Sequence, residues 1–147
     1  MYVDADACPV KKEISQIAKK FNWNVYFVAS YDHKPKELQE NGEWIFIDAG
    51  KDSVDLFILN RIHATNVLVT QDIGLASLAL AKGVHVISPR GKVYNEESIQ
   101  IALDFRYLSA KERRQGRYGK GPKPFTSKDR NNFFQTLSGM LSEIAGD

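Results

Sequence analysis

The chain has 147 residues, of which 43% are hydrophobic and 26% charged, and its formal net charge is +2. This composition is typical of a globular protein, and we expect residues 1–147 to form one domain with a sizeable core. No apolar run approaches the roughly 20 residues that a membrane-spanning helix requires. The single cysteine excludes an internal disulfide, and no signal peptide is expected, so the sequence favours a cytoplasmic protein.

Short apolar segments alternate with amphipathic ones along the chain. Strands are predicted at residues 2–4, 25–29, 44–47, 67–69 and 84–87. Helices are predicted from Pro9 to Phe21, from 52 or 53 to about 64, from about 75 to 81, from 95 to about 108 and at about 127–145. Because the strands are nearly continuous apolar runs, we predict an α/β three-layer sandwich. Its mostly parallel five-stranded sheet has the order 3-2-1-4-5, and a C-terminal helix follows.

Two of the predicted strands lead directly into aspartates. Asp4 ends the first strand with Asp6 two residues later, and Asp72 follows the fourth. Strands one and four are neighbours in the predicted order, so their carboxyl ends bring Asp4 and Asp72 together. Asp55, in the first turn of the helix that leads to strand four, lies near the same edge. Carboxylates this close repel one another unless a cation lies between them, and oxygen ligands favour Mg²⁺ or Mn²⁺.

Helix capping is the alternative explanation for several of these acids. Aspartate is a preferred N-cap residue, and Asp6, Asp52 and Asp72 all precede helical patterns. Capping is less natural for Asp4, which stands at the end of an apolar strand. We therefore interpret Asp4, Asp6, Asp55 and Asp72 as metal ligands, and Asp52 as an auxiliary or a capping residue.

Further polar side chains follow strands four and five, at the same predicted edge. Thr70 comes after the fourth strand, and Ser88 and Arg90 come after the fifth. A hydroxyl and a guanidinium group there could bind a phosphate oxygen, so we predict that all three contact substrate. Arg90 could equally stabilise the turn formed by Pro89, Arg90 and Gly91.

The segment at 111–125, which we call the basic segment, carries much of the positive charge. Residues 1–110 contain 12 basic and 14 acidic side chains, whereas residues 111–147 contain 8 basic and 4 acidic ones. Glycines in the basic segment permit close approach to a phosphate chain, and Arg113, Arg117 and Lys120 are predicted to bind it. Tyr118 or Phe125 could stack on a base. A solvated connector is the alternative, with Phe125 anchoring the last helix.

Cys8 precedes Pro9 at a helix start, where the helix dipole could lower the pKa of the thiol. None of the three histidines lies near it in sequence. We therefore favour a packed, inert thiol over a nucleophile.

Several of these motifs together resemble the YaiI/YqxD family of uncharacterised bacterial proteins, over essentially the whole chain. The matching segments are Val3-Asp-Ala-Asp-Ala-Cys-Pro9, Asp52-Ser-Val-Asp55, Val69-Thr-Gln-Asp-Ile-Gly-Leu-Ala76, Pro89-Arg-Gly91 and Gly119-Lys-Gly-Pro-Lys-Pro-Phe125. The family in turn resembles PIN-like nucleases. That resemblance implies Mg²⁺- or Mn²⁺-dependent cleavage of RNA or another phosphodiester, with Asp4, Asp55 and Asp72 as the catalytic acids.

Two other functions are compatible with the same residues. A haloacid-dehalogenase-type phosphatase has a first strand ending in Asp-x-Asp-x-Thr/Val, with the first aspartate as nucleophile. Here Asp4 and Asp6 match, while Cys8 stands at the Thr/Val position. The other alternative is a non-catalytic RNA-binding module, which the basic segment favours.

Overall fold

A computed structural model describes residues 1–33, 41–48, 53–121 and 123–146 of the chain. Its centre is a six-stranded sheet of order β3-β2-β1-β4-β5-β6. The strands are β1 (Tyr2–Asp4), β2 (Tyr26–Ser30), β3 (Glu43–Ile47), β4 (Val67–Val69), β5 (His85–Ile87) and β6 (Val93–Tyr94). The first five are parallel to one another, which confirms the predicted α/β class and the order 3-2-1-4-5.

The sheet has one strand more than the sequence predicts. β6 pairs antiparallel with β5, because the chain reverses in a tight turn at residues 88–91. Gly91 has φ +87°, and a Cβ there would lie 2.6 Å from Asn132 Nδ2. Only glycine fits both the left-handed backbone and the close approach. β6 has only two residues, too few for a hydrophobic pattern to reveal it.

Within the described ranges, five α-helices and a short 3₁₀ turn surround the sheet. They are α1 (Lys11–Phe21), the 3₁₀ turn Tyr31–His33, α2 (Val54–Arg61), α3 (Ile73–Ala81), α4 (Glu96–Arg114) and α5 (Ser127–Ile144). Residues 31–42 are a polar stretch that the sequence indicates as a loop; this stretch begins with the 3₁₀ turn, and its residues 34–40 lie outside the described part of the chain. Three predicted helix boundaries need correction, and one of them is the end of α2, which lies at Arg61 and not near residue 64. α1 begins at Lys11, with Pro9 before its N-cap Val10.

α4 extends six residues beyond its predicted end near Leu108. A capping box between Asn95 and Ser98 fixes its start. The apolar periodicity fades after Leu108, but the residues at 111–114 are Lys, Glu, Arg and Arg, all good helix formers. The first part of the basic segment is therefore helical.

Two hydrophobic clusters cover the two faces of the sheet. On one face, α1 and α5 pack against the strands through Ile14, Ile17, Phe133, Leu137 and Leu141. On the other face, α2, α3 and α4 contribute Ile58, Leu75 and Ile99. In β2, Phe27 faces the first cluster and Val28 the second, as expected when successive side chains alternate across a strand. This three-layer arrangement confirms the sequence prediction.

None of the helices in the described ranges is long and apolar enough to cross a membrane.

Candidate functional site

The carboxyl ends of β1 and β4 lie side by side. The strand register pairs Tyr2 with Leu68 and Val3 with Val69, so Asp4 and Thr70 both follow the last of these pairs. The buried Thr70 hydroxyl donates to Asp4 Oδ2 at 2.8 Å and accepts the backbone N–H of Asp72 at 3.0 Å. A single buried hydroxyl therefore holds the two predicted acids at the same edge of the sheet.

Asp72 caps α3 and lies at this edge at the same time. Its Oδ1 accepts the backbone N–H of Leu75 at 3.2 Å, and Asp72 is the N-cap residue of the helix. The two explanations offered by the sequence are thus compatible for this residue. Because one oxygen serves as the cap, Oδ2 is the atom of Asp72 that can serve a ligand.

Asp6 is held near the carboxyl ends of the strands by a contact with β2. β1 ends at Asp4, and the chain then turns, with Ala7 in the left-handed region at φ +57°, so Asp6 lies beyond the end of the strand. Asp6 Oδ1 accepts the backbone N–H of Ser30, at the end of β2, at 3.1 Å. Asp6 does not cap α1, because the N-cap residue Val10 has no side-chain capping bond.

Asp55 lies in the first turn of α2 and is exposed to solvent. Ser53 is the N-cap of that helix, and its Oγ accepts the N–H of Leu56 at 3.2 Å. Asp52, the auxiliary candidate, lies outside the described residues.

Asp4 is affected by the negative charges of three other aspartates. Burial, followed by the charges of Asp6, Asp72 and Asp55, raises the pKa of Asp4 from 3.8 to about 6, while the hydrogen bond from Thr70 acts in the opposite direction. Desolvation and neighbouring negative charge both disfavour the ionised form. Asp4 is therefore the centre of a four-carboxylate group, which we call the carboxylate edge.

The donor chemistry of the carboxylate edge suits a hard divalent cation such as Mg²⁺ or Mn²⁺, because it consists of carboxylate oxygens. Within the described ranges, no three His, Cys, Asp or Glu side chains converge closely enough to hold a metal ion by themselves. Mg²⁺ is commonly bound through one or two carboxylates, with water and substrate phosphate completing its coordination. Asp4 and Asp72 fit that sparser mode better than an all-protein cage.

The polar residues predicted to bind substrate have partners inside the protein. Thr70 links the two acids, and Ser88 Oγ accepts the N–H of Lys92 at 3.1 Å. Arg90 Nη1 contacts Asp129 Oδ2 at 2.8 Å, and Arg90 Nη2 donates to the carbonyl of Lys123. Ser88 and Arg90 lie beyond the carboxyl end of β5, at the same side of the sheet as Asp4. These contacts give Thr70, Ser88 and Arg90 a positioning role inside the protein.

Arg90 therefore joins the end of the basic segment to α5. The ring of Phe125 lies near two guanidinium groups, with its centroid 5.6 Å from Arg90 Cζ and 5.2 Å from Arg130 Cζ. Phe125 is also partly buried against the hydrophobic core. These contacts support its interpretation as an anchor for the last helix.

The remaining substrate-binding candidates of the basic segment are exposed. Arg113 lies in the last turn of α4, whereas Arg117 and Lys120 follow it. Arg117 pairs with Glu112 and also contacts Gln115. Tyr118 is 76% exposed, so its ring is accessible to a base.

Arg106 is a candidate substrate-binding residue that the sequence did not reveal. A Cβ built on Gly74 would lie 3.3 Å from Asp72 Oδ1 and 3.4 Å from Arg106 Nη1, so these two atoms are at most about 7 Å apart. Arg106 comes from the middle of α4, 34 residues from Asp72 in the chain. In the sequence, Arg106 differs from other basic residues only in its spacing of seven from Ile99, which places both on one side of the helix. That spacing alone is too weak to identify a substrate-binding residue.

Cys8 is buried, and burial raises the pKa of its thiol from 9.0 to about 11. The packed, inert thiol that the sequence favours is consistent with this environment, because the nucleophilic species is the thiolate.

Comparison with known proteins identifies the family. Residues 2–143 match the model described as an uncharacterized BCR, YaiI/YqxD family. The chain is 50% identical to a UPF0178 protein of Bacillus cytotoxicus over 144 residues, covering 98% of this chain and 93% of that protein. It is 52% identical to a UPF0178 protein of Listeria monocytogenes over 140 residues, covering 95% and 93%. No solved structure matches the chain significantly. By its motifs, its match to the family over almost its whole length and its relatives at about half identity, the chain belongs to the YaiI/YqxD family.

Proposed function

We propose that this protein is a Mg²⁺- or Mn²⁺-dependent nuclease that cleaves RNA at the carboxylate edge. The observation that carries the proposal is the group of four carboxylates around Asp4, where Thr70 links Asp4 to Asp72 across two parallel strands. Negative charges brought together in this way repel one another, and a bound cation would relieve that repulsion. The carboxyl edge of a parallel sheet is also where ligands usually bind.

The four aspartates of the carboxylate edge would have different roles. Asp4 and Asp72 would hold the cation, and Asp6 and Asp55 would add negative charge and orient water. A cation bound there would lower the pKa of a water molecule and neutralise charge on the phosphate during displacement. The hydroxyl of Thr70 keeps Asp4 and Asp72 in place, which limits reorganisation when substrate binds.

Positive side chains near this edge favour a polyanionic substrate. Arg106 lies within about 7 Å of Asp72 Oδ1, where a guanidinium group can bind a phosphate oxygen. The end of the basic segment is anchored beside β5 through the contacts of Arg90. A nucleic acid that follows the basic segment would therefore reach the carboxylate edge, and exposed Tyr118 offers a ring for a single-stranded base.

Cleavage of a labelled single-stranded RNA tests the proposal. We expect Mn²⁺-dependent cleavage by the wild type and a loss on the order of 100-fold or more in Asp4→Asn and in Asp72→Asn, because each change removes a ligand charge. Asp104→Asn is the matched control, since Asp104 is an exposed aspartate of α4. Cleavage should persist in that variant.

Other outcomes would replace the proposal. Cleavage retained in Asp72→Asn would indicate a contaminating nuclease. Phosphate trapped covalently on Asp4 during turnover of a phosphomonoester would indicate the phosphatase. RNA binding without cleavage under any divalent cation would indicate a binding module.

A further inference from the structure

Four aromatic rings form a stack that runs from the core to the surface. The fully buried Phe27 of β2 stacks on Trp44 of β3, with ring centroids 4.8 Å apart. Trp44 stacks on Phe46, and Phe46 stacks on Tyr31, each pair with centroids 5.8 Å apart. Trp44 and Phe46 are partly buried against the hydrophobic core, whereas Tyr31 is 61% exposed. The inner rings therefore orient the outermost ring, while most of that residue remains accessible to solvent.

The exposed end of the stack lies at the carboxyl ends of the strands. Tyr31 directly follows Ser30, the last residue of β2, and the Ser30 N–H donates to Asp6 Oδ1 at 3.1 Å. β2 is the parallel neighbour of β1, which ends at Asp4. Neighbouring strands are about 5 Å apart, so Tyr31 follows a strand that lies one spacing from that of Asp4. A molecule bound at the carboxylate edge is therefore within reach of the ring.

A nucleobase is the ligand that this position favours. A base has the flat aromatic surface that would extend the stack by one ring, and stacking of this kind tolerates any of the bases. A phosphate fits less well, because the next residue, Asp32, is exposed and acidic. Bases within a duplex are already stacked on their neighbours, so an unpaired base is the one that can present a face to Tyr31.

We propose that Tyr31 is a nucleobase-stacking residue that binds an unpaired base next to the phosphate to be cleaved. The inference rests on the proposed function, which supplies RNA as the molecule bound at the carboxylate edge, and it gives the site a preference for single strands. In the strand order, β1 and β4 lie between β2 and β5. The RNA would thus run from the basic segment, anchored beside β5, over Asp72 and Asp4 to Tyr31.

Binding of a short labelled single-stranded RNA without divalent cations tests the stacking and does not require cleavage. We expect fluorescence anisotropy to show at least about fivefold weaker binding by Tyr31→Ala and binding within about twofold of the wild type by Tyr31→Phe, which keeps the ring. The slope of log K against log salt should not change, because no phosphate contact is lost. Tyr107→Ala is the matched control, since Tyr107 is 64% exposed on α4 and lies outside the stack.

An RNA chain of the same length that lacks its bases separates stacking from a structural effect of the substitution. The wild type and Tyr31→Ala should bind this chain equally, because the base that the ring would contact is absent. Tyr31→Leu keeps an apolar contact with Phe46 but has no ring, and it should behave as Tyr31→Ala does with both RNAs. A loss of affinity in Tyr31→Ala of the same size for the intact and the base-free chain would overturn the proposal.

The remaining outcomes distinguish the stacking from the nuclease activity. An effect of Tyr31→Ala no larger than that of Tyr107→Ala, in a protein that cleaves RNA, would overturn the stacking alone. Base-dependent binding through Tyr31 in a protein that cleaves no RNA with Mg²⁺ or Mn²⁺ would support the stacking and overturn the nuclease. A wild type that binds no single-stranded RNA would overturn the stacking.

Discussion

The carboxylate edge and the basic segment carry opposite charge and are organised in opposite ways. Asp4 and Asp72 are positioned by the register of β1 and β4 and by the buried hydroxyl of Thr70. In the basic segment, Arg117 contacts its near neighbours Glu112 and Gln115 and is exposed to solvent. Long-range contacts can hold like charges together against repulsion, whereas exposed short-range contacts leave charges screened by water and salt.

The largest stability effect that follows from this difference is expected for Asp4→Asn. The pKa of Asp4 is raised from 3.8 to about 6 in the folded protein, so the folded state binds the proton more tightly than the unfolded state does. Stability therefore decreases as pH rises from about 4 to about 6, and the penalty persists above that range. Two pKa units correspond to about 3 kcal/mol, so without divalent cations the variant should be more stable than the wild type by up to about that amount at pH 7.5.

Urea denaturation at pH 7.5 and at pH 4 measures this effect. The gain from Asp4→Asn should disappear at pH 4, and Mn²⁺ should stabilise the wild type more than the variant. Asp104→Asn should change little at either pH. A loss of stability in Asp4→Asn of the same size at both pH values would show that the carboxylate is a structural acceptor for Thr70 and not a centre of repulsion.

Arg90→Ala is expected to have a smaller effect on stability. Arg90 contacts the end of the basic segment and the start of α5. The change removes contacts to Asp129 and to the carbonyls of Lys123 and Pro124. Because the Arg90 side chain is 40% exposed, solvent screens the ion pair, and we expect a loss of only about 1 kcal/mol. The basic segment should also become more susceptible to trypsin, which limited proteolysis would detect.

Arg90→Lys separates charge from geometry in this experiment. Lysine keeps the positive charge but lacks the planar fork that reaches a carboxylate and two carbonyls together. It should therefore behave nearly as Arg90→Ala does. Full retention of stability and protease resistance by the lysine variant would mean that charge alone anchors the basic segment.

Arg113→Ala combined with Arg117→Ala should leave stability within about 0.5 kcal/mol of the wild type, since both side chains are exposed. RNA binding should weaken, and the slope of log K against log salt should become less steep by about 1.4, as expected for two lost phosphate contacts on a single strand. Fluorescence anisotropy with a labelled RNA across a salt series measures both quantities.

Arg106→Ala provides the contrast for that experiment. Because Arg106 lies beside Asp72, its loss should lower the rate of cleavage more than it lowers affinity.

If the salt slope is unchanged by the double substitution at Arg113 and Arg117, the basic segment is a connector and not a binding surface.

The sequence predicted those features that follow from hydrophobic pattern and strand order. Apolar runs that alternate with helical patterns were sufficient for the order 3-2-1-4-5, and that order places Asp4 and Asp72 at one edge. Features that depend on single side-chain contacts were not predictable. Thr70 was expected to bind substrate, but its hydrogen bonds show how it links the two acids. Arg106 approaches Asp72 only because α4 packs against α3.

The boundaries of α4 show a second limit. Its predicted end depended on apolar periodicity, whereas charged residues with high helix propensity extend it to Arg114. Apolar periodicity indicates which part of a helix packs against the core. It does not indicate how far the helix continues into solvent.

The hydroxyl of Thr70 also determines where protons can go. The Thr70 hydroxyl accepts the N–H of Asp72 and donates to Asp4 Oδ2, so Oδ1 is the better position for a proton that neutralises Asp4. A cation approaching Asp4 would require that same oxygen. A cation that binds at this position would displace the proton, and uptake of a divalent ion near pH 6 would release about half a proton per protein molecule into an unbuffered solution, because Asp4 is about half protonated there.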